Sequence, residues 1–471
     1  MSAHPAHPAH TAEPVTSLTV PFSGLRAGTA PMSWGQRAIW KSIAWLKEEA
    51  HYFNTPRVVR IPDGTTTDRA VAAIAGVLTR HEALRTTFAD GPDGGTQTVH
   101  GEGEVTVEVH ATAAPLPEEE AAAFARRLAA TAFRHADEFG MRYALLTYGG
   151  RPVWLVLVVS HQVSDFWGVR VLERDLDVLL RGGDLEEDAA WQPLDQARHQ
   201  QEGVGARRGR EALAHWERTL TSVPASLFDA APPEDGVADD DPERFVRLRL
   251  ASPAGAVAAE RLADRCRVST GTVLLTAAAA VLAAYTGHEQ AVLLLIAGNR
   301  NEPRLKGMVG AQTENALFVM EPGDGTFEDA VRGGFLTAMT AYRHGEYDPV
   351  AMDEVHARVR RARGTDLDLS AFFNDVRMRD RWEALPDVAP DDAAALEELR
   401  ARSEISTTGT WPRQDAKYFV HTEYAPDRLH LYLMADTHHI PRATMPTLLR
   451  AMETLLVASA HGETKARPTL P

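Results

Sequence analysis

The chain has 471 residues, more than the roughly 250–300 at which a single hydrophobic core stops growing, so two domains are expected. Its formal net charge of −16 disfavours binding to nucleic acids or anionic membranes, because like charges repel at long range. The single cysteine, Cys266, excludes a disulfide within the chain and favours a reducing compartment such as the cytoplasm. Because Cys266 falls near the end of a predicted helix, we interpret it as structural.

Residues 1–30 are predicted to form a disordered arm. The chain begins Met-Ser-Ala-His-Pro-Ala-His-Pro, without the basic start and apolar run of a signal peptide. Its repeated histidines suggest weak metal binding at most, which we disfavour as a function. The longest apolar run, residues 153–159, is too short to cross a bilayer. The sequence therefore predicts a cytoplasmic protein that is not inserted in a membrane.

Helices and strands alternate in the first half. Apolar residues at helical spacing predict helices over residues 33–47, 66–80, 117–135 and 168–180. Ser33 can cap the first of these helices, and Thr67 or Asp68 the second. Residues 153–159 are apolar at every position, which predicts a central strand covered on both faces.

Residues 227–242 are acidic and proline-rich, which predicts a linker between domains at residues 31–226 and 243–471. The second half repeats the style of the first. Its predicted strands cover residues 245–250, 291–297 and 429–435, and its predicted helices residues 270–285 and 442–460. We predict an α/β (or α+β) fold of two similar halves, each a sheet with helices packed on it.

The strongest candidate for chemistry is His161, which follows the buried strand and precedes Asp165 by four residues. A strand that ends in polar residues often delivers them to a cleft. Histidine exchanges protons near neutral pH, so it can accept a proton from an amine or hydroxyl that attacks a carbonyl. The alternative is a core histidine bonded to a backbone carbonyl, and the spacing alone does not decide between the two.

Metal and nucleotide sites are not predicted. His438 and His439 are adjacent, and neighbours on a strand point to opposite faces, so they rarely bind one ion together. No third ligand stands at zinc-site spacing. Neither GxxxxGK[ST] nor GxGxxG occurs, so neither ATP nor a dinucleotide is expected.

Residues 160–166, Ser-His-Gln-Val-Ser-Asp-Phe, resemble the HHxxxDG motif of nonribosomal peptide synthetase condensation domains. Other stretches resemble further motifs of that family, in the family's order. They are residues 33–40 (SxAQxRxW), 80–88 (RHExLRTxF), 299–315 (NR…GMxGxFVNT), 344–349 (HQDxPF) and 372–374 (an FNF-like strand). The resemblance extends over residues 31–460, nearly the whole chain.

The resemblance implies two chloramphenicol-acetyltransferase-like subdomains that form a V with a central tunnel. Acyl thioesters, usually carried on the phosphopantetheine arm of a carrier protein, enter such a tunnel, and no tightly bound cofactor is needed. It also implies that His161 is the catalytic residue. Asp165, paired with Arg300 from the other half, would support the site together with Ser160. The residues implied to line the tunnel are Phe166, Trp167, Gln312 and Asn315.

Three features depart from the family pattern. Ser160 replaces the first histidine of the motif, and Phe166 replaces its glycine. Residues 311–313 lack the fixed aromatic of the GMxGxFVNT block. Phe166 adds bulk beside the site, where it would shape the acceptor pocket, narrow the tunnel or block it.

Two functions remain open. The first is a free-standing condensation enzyme that joins an acyl thioester to an amine or a hydroxyl. The second is a catalytically impaired binding module that recruits a carrier protein or a tailoring enzyme. Transfer from coenzyme A and epimerisation are further options, whereas the DxxxxD pattern of cyclisation domains is absent. Arginines at 358–363 and 207–210 could dock an acidic carrier protein, although solvated helix faces are the favoured interpretation.

Overall fold

A computed structural model describes residues 16–91, 94–186, 190–228, 241–389 and 392–470. The chain is divided into two compact units. The first comprises Met1–Arg207, Gly298–Thr313 and Asp348–Val350, and the second Arg208–Ala297, Glu314–Tyr347 and Ala351–Pro471. Most of the predicted linker, residues 229–240, lies outside the described residues. Leu227 and Phe228, at its start, are buried in the core of the second unit.

The first unit contains two sheets. Its strands are β1 (Thr16–Phe22), β2 (Gly28–Pro31), β3 (Asn54–Arg60), β4 (Thr86–Ala89), β5 (Thr96–Val99), β6 (Gly103–Thr112), β7 (Met141–Tyr148) and β8 (Arg151–Ser160). A five-stranded sheet has the order β1-β6-β7-β8-β3, and a three-stranded sheet the order β2-β5-β4. The helices are α1 (Trp34–Leu46), α2 (Thr67–Arg80), α3 (Glu118–Ala129), α4 (Phe166–Leu180) and α5 (Pro193–Gln201). Helix α6 (Gly203–Leu220) then leads into the second unit.

Strand β8 is covered on both faces, as its continuous apolar sequence predicts. Leu155, Leu157 and Val159 join the core formed with α2 and α4. Trp154 and Val156 point the other way, where they pack with Ala121 and Ala125 of α3. The end of β8 therefore emerges from a rigid, two-sided core.

The second unit contains one sheet of seven strands, in the order β11-β10-β12-β14-β15-β9-β13. The strands are β9 (Phe245–Ser252), β10 (Ala291–Ala297), β11 (Glu314–Met320), β12 (Ala371–Asp375), β13 (Glu404–Trp411), β14 (Tyr418–Glu423) and β15 (Leu429–Asp436). The helices are α7 (Pro253–Cys266), α8 (Thr270–Thr286), α9 (Phe327–Arg343), α10 (Pro349–Arg363), α11 (Ala393–Arg400) and α12 (Met445–His461). Within the described part of the chain, no single helix could span a membrane, and only α7 and α8 together, bent by 106°, reach the required length and apolarity.

The structure corrects several boundaries. The arm predicted for residues 1–30 is wrong for residues 16–30, because β1 pairs with β6 and β2 with β5. Residues 1–15 lie outside the described residues. The helix predicted to continue to residue 135 ends at Ala129, where Asn54 Nδ2 donates to the carbonyl oxygens of Ala129 and Thr131. The cap of α2 is Thr66, whose side chain accepts from the Arg69 amide.

Candidate active site

A tight turn connects β8 to α4 and carries His161. The Ser160 amide donates to the Gly140 carbonyl at 2.9 Å, and the His161 amide to the Phe53 carbonyl at 2.8 Å. The Ser164 amide then closes the turn by donating to the Ser160 carbonyl at 3.2 Å. Because the backbone is bonded on both sides, the position of the His161 side chain is fixed by the sheet.

The two ring nitrogens of His161 have different surroundings. Nδ1 is buried and has no hydrogen-bond partner among the described residues. The ring is partly exposed on its Nε2 side, and the Phe53 ring meets it edge-on at 5.8 Å. Burial lowers the pKa of His161, and its own carbonyl and the charge of Asp165 offset this only in part. A neutral ring with its proton on Nδ1 leaves Nε2 as a free acceptor.

Asp165 caps α4 and is held by three donors. Its Oδ1 accepts from the Gly168 amide at 2.8 Å and from Arg300 Nη2 at 2.7 Å. Its Oδ2 accepts from the Gln312 amide at 3.1 Å. Asp165 is 3% exposed. A carboxylate bound in this way has both oxygens occupied and holds its loop in position.

The segment Gly298–Thr313 brings Arg300 into the first unit. Arg300 also donates to the carbonyl oxygens of Leu305, Met308 and Gly310. The ion pair between Arg300 and Asp165 is the one that the resemblance implied. Its arginine, however, belongs to the same compact unit as Asp165, although 135 residues separate the two along the chain.

Two glycines allow this segment to approach closely. A Cβ at Gly168 would overlap the Ser164 hydroxyl and lie 3.1 Å from the Gly310 nitrogen. A Cβ at Gly35, in α1, would overlap the Ala311 carbonyl oxygen and lie 2.8 Å from the α-carbon of Gln312. The backbones of the first turns of α1 and α4 therefore pack directly against the backbone of residues 310–312.

Ser160 faces a histidine that no sequence motif predicted. Ser160 Oγ lies 3.1 Å from Nε2 of His135, and the Gln162 amide donates to the same Oγ at 3.2 Å. Both side chains are buried, and the His135 ring contacts Trp40, Phe88 and Phe133. Burial lowers the pKa of His135 to about 4, so the ring is neutral. His135 stands in an irregular loop, so no periodic pattern marked it either.

The four residues predicted to line the tunnel do not share one environment. Phe166 is 39% exposed and lies under the guanidinium of Arg57 at 5.8 Å. Its backbone is helical, so this position does not need the conformational freedom of glycine. Trp167 is also 39% exposed, and its Nε1 donates to the Lys306 carbonyl at 2.8 Å. Gln312 is buried beside Asp165, whereas Asn315 lies in β11 of the second unit.

Two other motif residues meet in the first unit. Arg37 of α1 donates to Asp348, the acid of the stretch that resembles HQDxPF, at 2.8 Å. Arg85, from the stretch that resembles RHExLRTxF, donates to the carbonyl oxygens of Arg26 and Leu78 and so braces the helix–strand corner. These residues are structural supports of the unit that carries His161.

The other candidates from the sequence, Cys266, His438 and His439, are not part of this site. Burial raises the pKa of the Cys266 thiol, which disfavours a nucleophilic thiolate. His438 and His439 lie in the turn after β15 rather than on a strand. In the part of the chain that the structure describes, no group of three or more histidine, cysteine, aspartate or glutamate residues could hold a metal ion.

Comparisons with known proteins agree on one family. A family model named Condensation domain matches residues 26–368. The chain is 30% identical over 312 residues to phosphinothricin tripeptide synthetase PhsC of Streptomyces viridochromogenes, which covers 63% of this chain and 28% of that protein. The chain thus spans less than a third of the length of this curated relative.

Solved structures share the fold at lower identity. The condensation domain that mediates chain release from the enacyloxin polyketide synthase has a TM-score of 0.67 and 19% identity, over 91% of this chain and 81% of that one. The X-domain of teicoplanin biosynthesis, solved in complex with OxyB, has a TM-score of 0.66 and 19% identity, over 96% of this chain and 98% of that one. The predicted fold class, with its mixed sheets and packed helices, is confirmed.

Condensation domains are acyltransferase-type proteins that form amide or ester bonds, and they act on phosphopantetheine-carried substrates in the biosynthesis of natural products. Because the matching model covers most of the sequence, this chain belongs to the condensation-domain family.

Proposed function

We propose that this chain is an active condensation enzyme. It joins an acyl thioester, carried on the phosphopantetheine arm of a carrier protein, to an amine or hydroxyl acceptor and forms an amide or an ester. The observation that carries the proposal is the His161 ring, which has a sequestered Nδ1 and an accessible Nε2 in a fixed turn.

The reaction needs a base, and His161 Nε2 serves as one. It accepts the proton of the acceptor N–H or O–H while the acceptor atom attacks the thioester carbonyl. The tetrahedral intermediate then collapses, the carbon–sulfur bond breaks, and the sulfur leaves as a thiol that takes the proton back. Asp165 and Arg300 act as positioning residues, because they bind each other and the turn rather than substrate.

Replacement of His161 by alanine tests this role. Because a positioned base contributes roughly 10²–10⁴-fold to the rate, His161→Ala should lower kcat by about that factor. Mass spectrometry of the product follows transfer from a loaded carrier protein to a panel of amines and alcohols. His288→Ala, in the second unit, is the matched control and should keep full activity. Equal rates for wild type and His161→Ala would contradict the proposal.

A binding module is the second candidate. It is favoured by the exposed Phe166 at the first position of α4, where the family motif has glycine. The related X-domain of teicoplanin biosynthesis was solved bound to OxyB, which is a precedent for recruitment by this fold. If the wild-type chain binds a loaded carrier or a tailoring enzyme but transfers no acyl group to any acceptor, the binding module replaces the enzyme.

A further inference from the structure

A cleft in the first unit opens beside helix α5. Its volume is about 740 Å³, which is within the roughly 300–1,000 Å³ of ligand sites. It is called the Trp191 cleft here, and its polar and aromatic lining consists of Trp191, Asp195, Arg198, His199, Glu202 and Arg304. All of these residues belong to one compact unit. The hydrogen bonds that hold the turn with His161 involve none of them, so the cleft is a separate place for a ligand.

Helix α5 provides one part of the lining. Asp195, Arg198, His199 and Glu202 stand at positions i, i+3, i+4 and i+7, so they share one face of the helix. Arg198 and Glu202 are exposed, and His199 is half-buried. The helix therefore presents a cation, an imidazole and a carboxylate to the same space.

The aromatic part of the lining is fixed in place. The Trp191 amide donates to the Arg304 carbonyl at 2.9 Å, which joins the loop before α5 to the segment Gly298–Thr313. The Arg304 guanidinium lies 5.8 Å from the centre of the Trp191 ring, and the His199 ring lies 4.6 Å from it at an interplanar angle of 49°. Because the indole is only half-buried, a flat apolar ring can pack against its open part.

Two arginines of the cleft, Arg198 and Arg304, have no carboxylate within ion-pair distance in the part of the chain that the structure describes. Asp195 does not neutralise them, because Arg26 binds both of its oxygens, at 2.7 and 3.0 Å, and holds its pKa below the usual value. Glu202 also forms no ion pair with any described residue. The lining thus keeps two positive charges and one negative charge in a chain of net charge −16.

These groups favour a phosphate over a carboxylate as the anion. One guanidinium already matches a carboxylate with two hydrogen bonds, whereas a phosphate group carries up to two charges and has oxygens for both arginines. Glu202 repels a bare dianion, but its carboxylate is an acceptor that suits a hydroxyl. The Trp191 ring suits a flat aromatic group. A phosphate, a hydroxyl and a flat ring occur together in a nucleotide.

We propose that the Trp191 cleft binds a nucleoside phosphate. Arg198 and Arg304 donate to the phosphate, a sugar hydroxyl donates to Glu202, and the base packs against Trp191. The two arginine side chains take the place of a glycine-rich phosphate loop, which the sequence lacks. The ligand is a free nucleotide or the nucleotide end of coenzyme A. Its binding goes beyond the proposed function and does not depend on it.

Calorimetric titration of the full chain tests the site. The probes are AMP, GMP and coenzyme A, and the controls are adenosine, guanosine and inorganic phosphate. We expect at least one probe to bind saturably and at least about tenfold more tightly than its nucleoside or phosphate alone, because only the probe engages the arginines and the indole together. Tighter binding of coenzyme A than of AMP or GMP identifies coenzyme A as the source, and the reverse order identifies a free nucleotide.

Variants locate the ligand in the cleft. Arg198→Gln should weaken binding of the best probe by about tenfold, because it removes a charge-assisted contact to phosphate. Its matched control is Arg126→Gln, which removes another exposed arginine from the last turn of a helix, α3, and should not change binding. Trp191→Phe keeps an aromatic ring, so it should still bind in calorimetry, but it should lose the change in tryptophan fluorescence that accompanies binding to wild type.

Three results overturn the proposal. The first is that no probe binds, or that each binds no more tightly than its nucleoside or phosphate. The second is that Arg198→Gln and Arg126→Gln bind the best probe alike. The third is that the full fluorescence change persists in Trp191→Phe, because another of the nine tryptophans would then report the binding.

The outcome is also separable from the enzyme mechanism. His161→Ala should bind the best probe as tightly as wild type, because the residues of the cleft do not hold the turn with His161. Normal nucleotide binding together with unimpaired transfer by His161→Ala contradicts the enzyme mechanism alone. Lost transfer by His161→Ala without any saturable binding of the probes contradicts the Trp191 cleft alone.

Discussion

At the scale of single residues, Ser160 and His135 together occupy a space next to the candidate base. The family motif has a histidine where Ser160 stands, and here the His135 ring approaches that position from another loop, 3.1 Å from Ser160 Oγ. Both residues are buried, and the His135 ring packs against aromatic side chains such as Phe88. Imidazole rings at both positions would overlap, so the serine and His135 are matched to each other.

Restoring the motif histidine should therefore destabilise the chain. We expect Ser160→His to lower the free energy of unfolding by about 1–3 kcal/mol, as overpacking of a core does. His135→Ala should relieve the overlap, so the double variant should lose less than the sum of the two single losses. Urea unfolding of all four proteins measures the coupling. Additive losses would show that the two positions do not compete for space.

His135 should also make stability depend on pH. The folded ring stays neutral down to about pH 4, whereas the unfolded ring takes up a proton near its ordinary pKa of 6.5. The unfolded state thus binds more protons in this window, and stability falls as the pH drops through it. Between pH 6.5 and about 4.5, wild type should lose roughly 2–3 kcal/mol more than His135→Asn. His288→Asn is the control, and equal slopes for wild type and His135→Asn would contradict the assignment.

At the scale of elements, the segment Gly298–Thr313 completes the site. It supplies the arginine that neutralises Asp165, and it runs between the first turns of α1 and α4. Val309 contributes to the same core as β8 and α4. The turn that carries His161 is therefore held from the sheet on one side and from this segment on the other.

A methyl group at Gly35 should weaken the packing of α1 against residues 310–312. Gly35→Ala places a Cβ against the Ala311 carbonyl oxygen, and the backbone must shift, at about 1–3 kcal/mol. Gly333→Ala, in α9, meets nothing within 4 Å and should stabilise its helix by about 1 kcal/mol. Hydrogen exchange of residues 298–313 should speed up in Gly35→Ala only. Unchanged exchange in Gly35→Ala would show that close approach is not needed there.

The elements show what sequence alone could predict. Strand β8 and helix α4 follow from their apolar patterns, whereas the Asp165–Arg300 pair was implied only by the family resemblance. Strands β1 and β2 were missed, because edge strands that contain proline resemble a coil until their partner, β6 or β5, is known. Strands were predicted over residues 245–250 and 429–435, but only the register shows that β9 and β15 are neighbours in one sheet.

At the scale of the whole molecule, the net charge affects how fast the chain associates with a charged partner. Among the arginines considered for docking, Arg358 is paired with Glu217 at 2.8 and 2.9 Å, and Arg363 donates to the Leu220 carbonyl. Arg360 faces Asp366 at 3.4 Å. Arg358 and Arg360 are thus paired with acids of their own unit, and the net charge of −16 sets the interaction at long range.

Association with an acidic carrier protein should therefore speed up with salt. Screening shortens the range of the repulsion from about 30 Å at 0.01 M to about 8 Å at 0.15 M ionic strength. Stopped-flow measurements across this range should show a rising association rate constant. A carrier variant with its acidic surface residues neutralised is the control and should show little change. A rate constant that falls with salt would instead reveal a local basic docking surface.

The position of Gly298–Thr313 along the chain has a consequence for synthesis on the ribosome. The sheet of the first unit and the turn with His161 are translated before any residue of that segment exists. Until about 135 more residues have followed Asp165, its buried carboxylate lacks Arg300 and the core lacks Val309. The first unit therefore cannot finish folding before the second half of the chain is being synthesised. Its packing is completed only by residues 298–313, which are translated together with the second half.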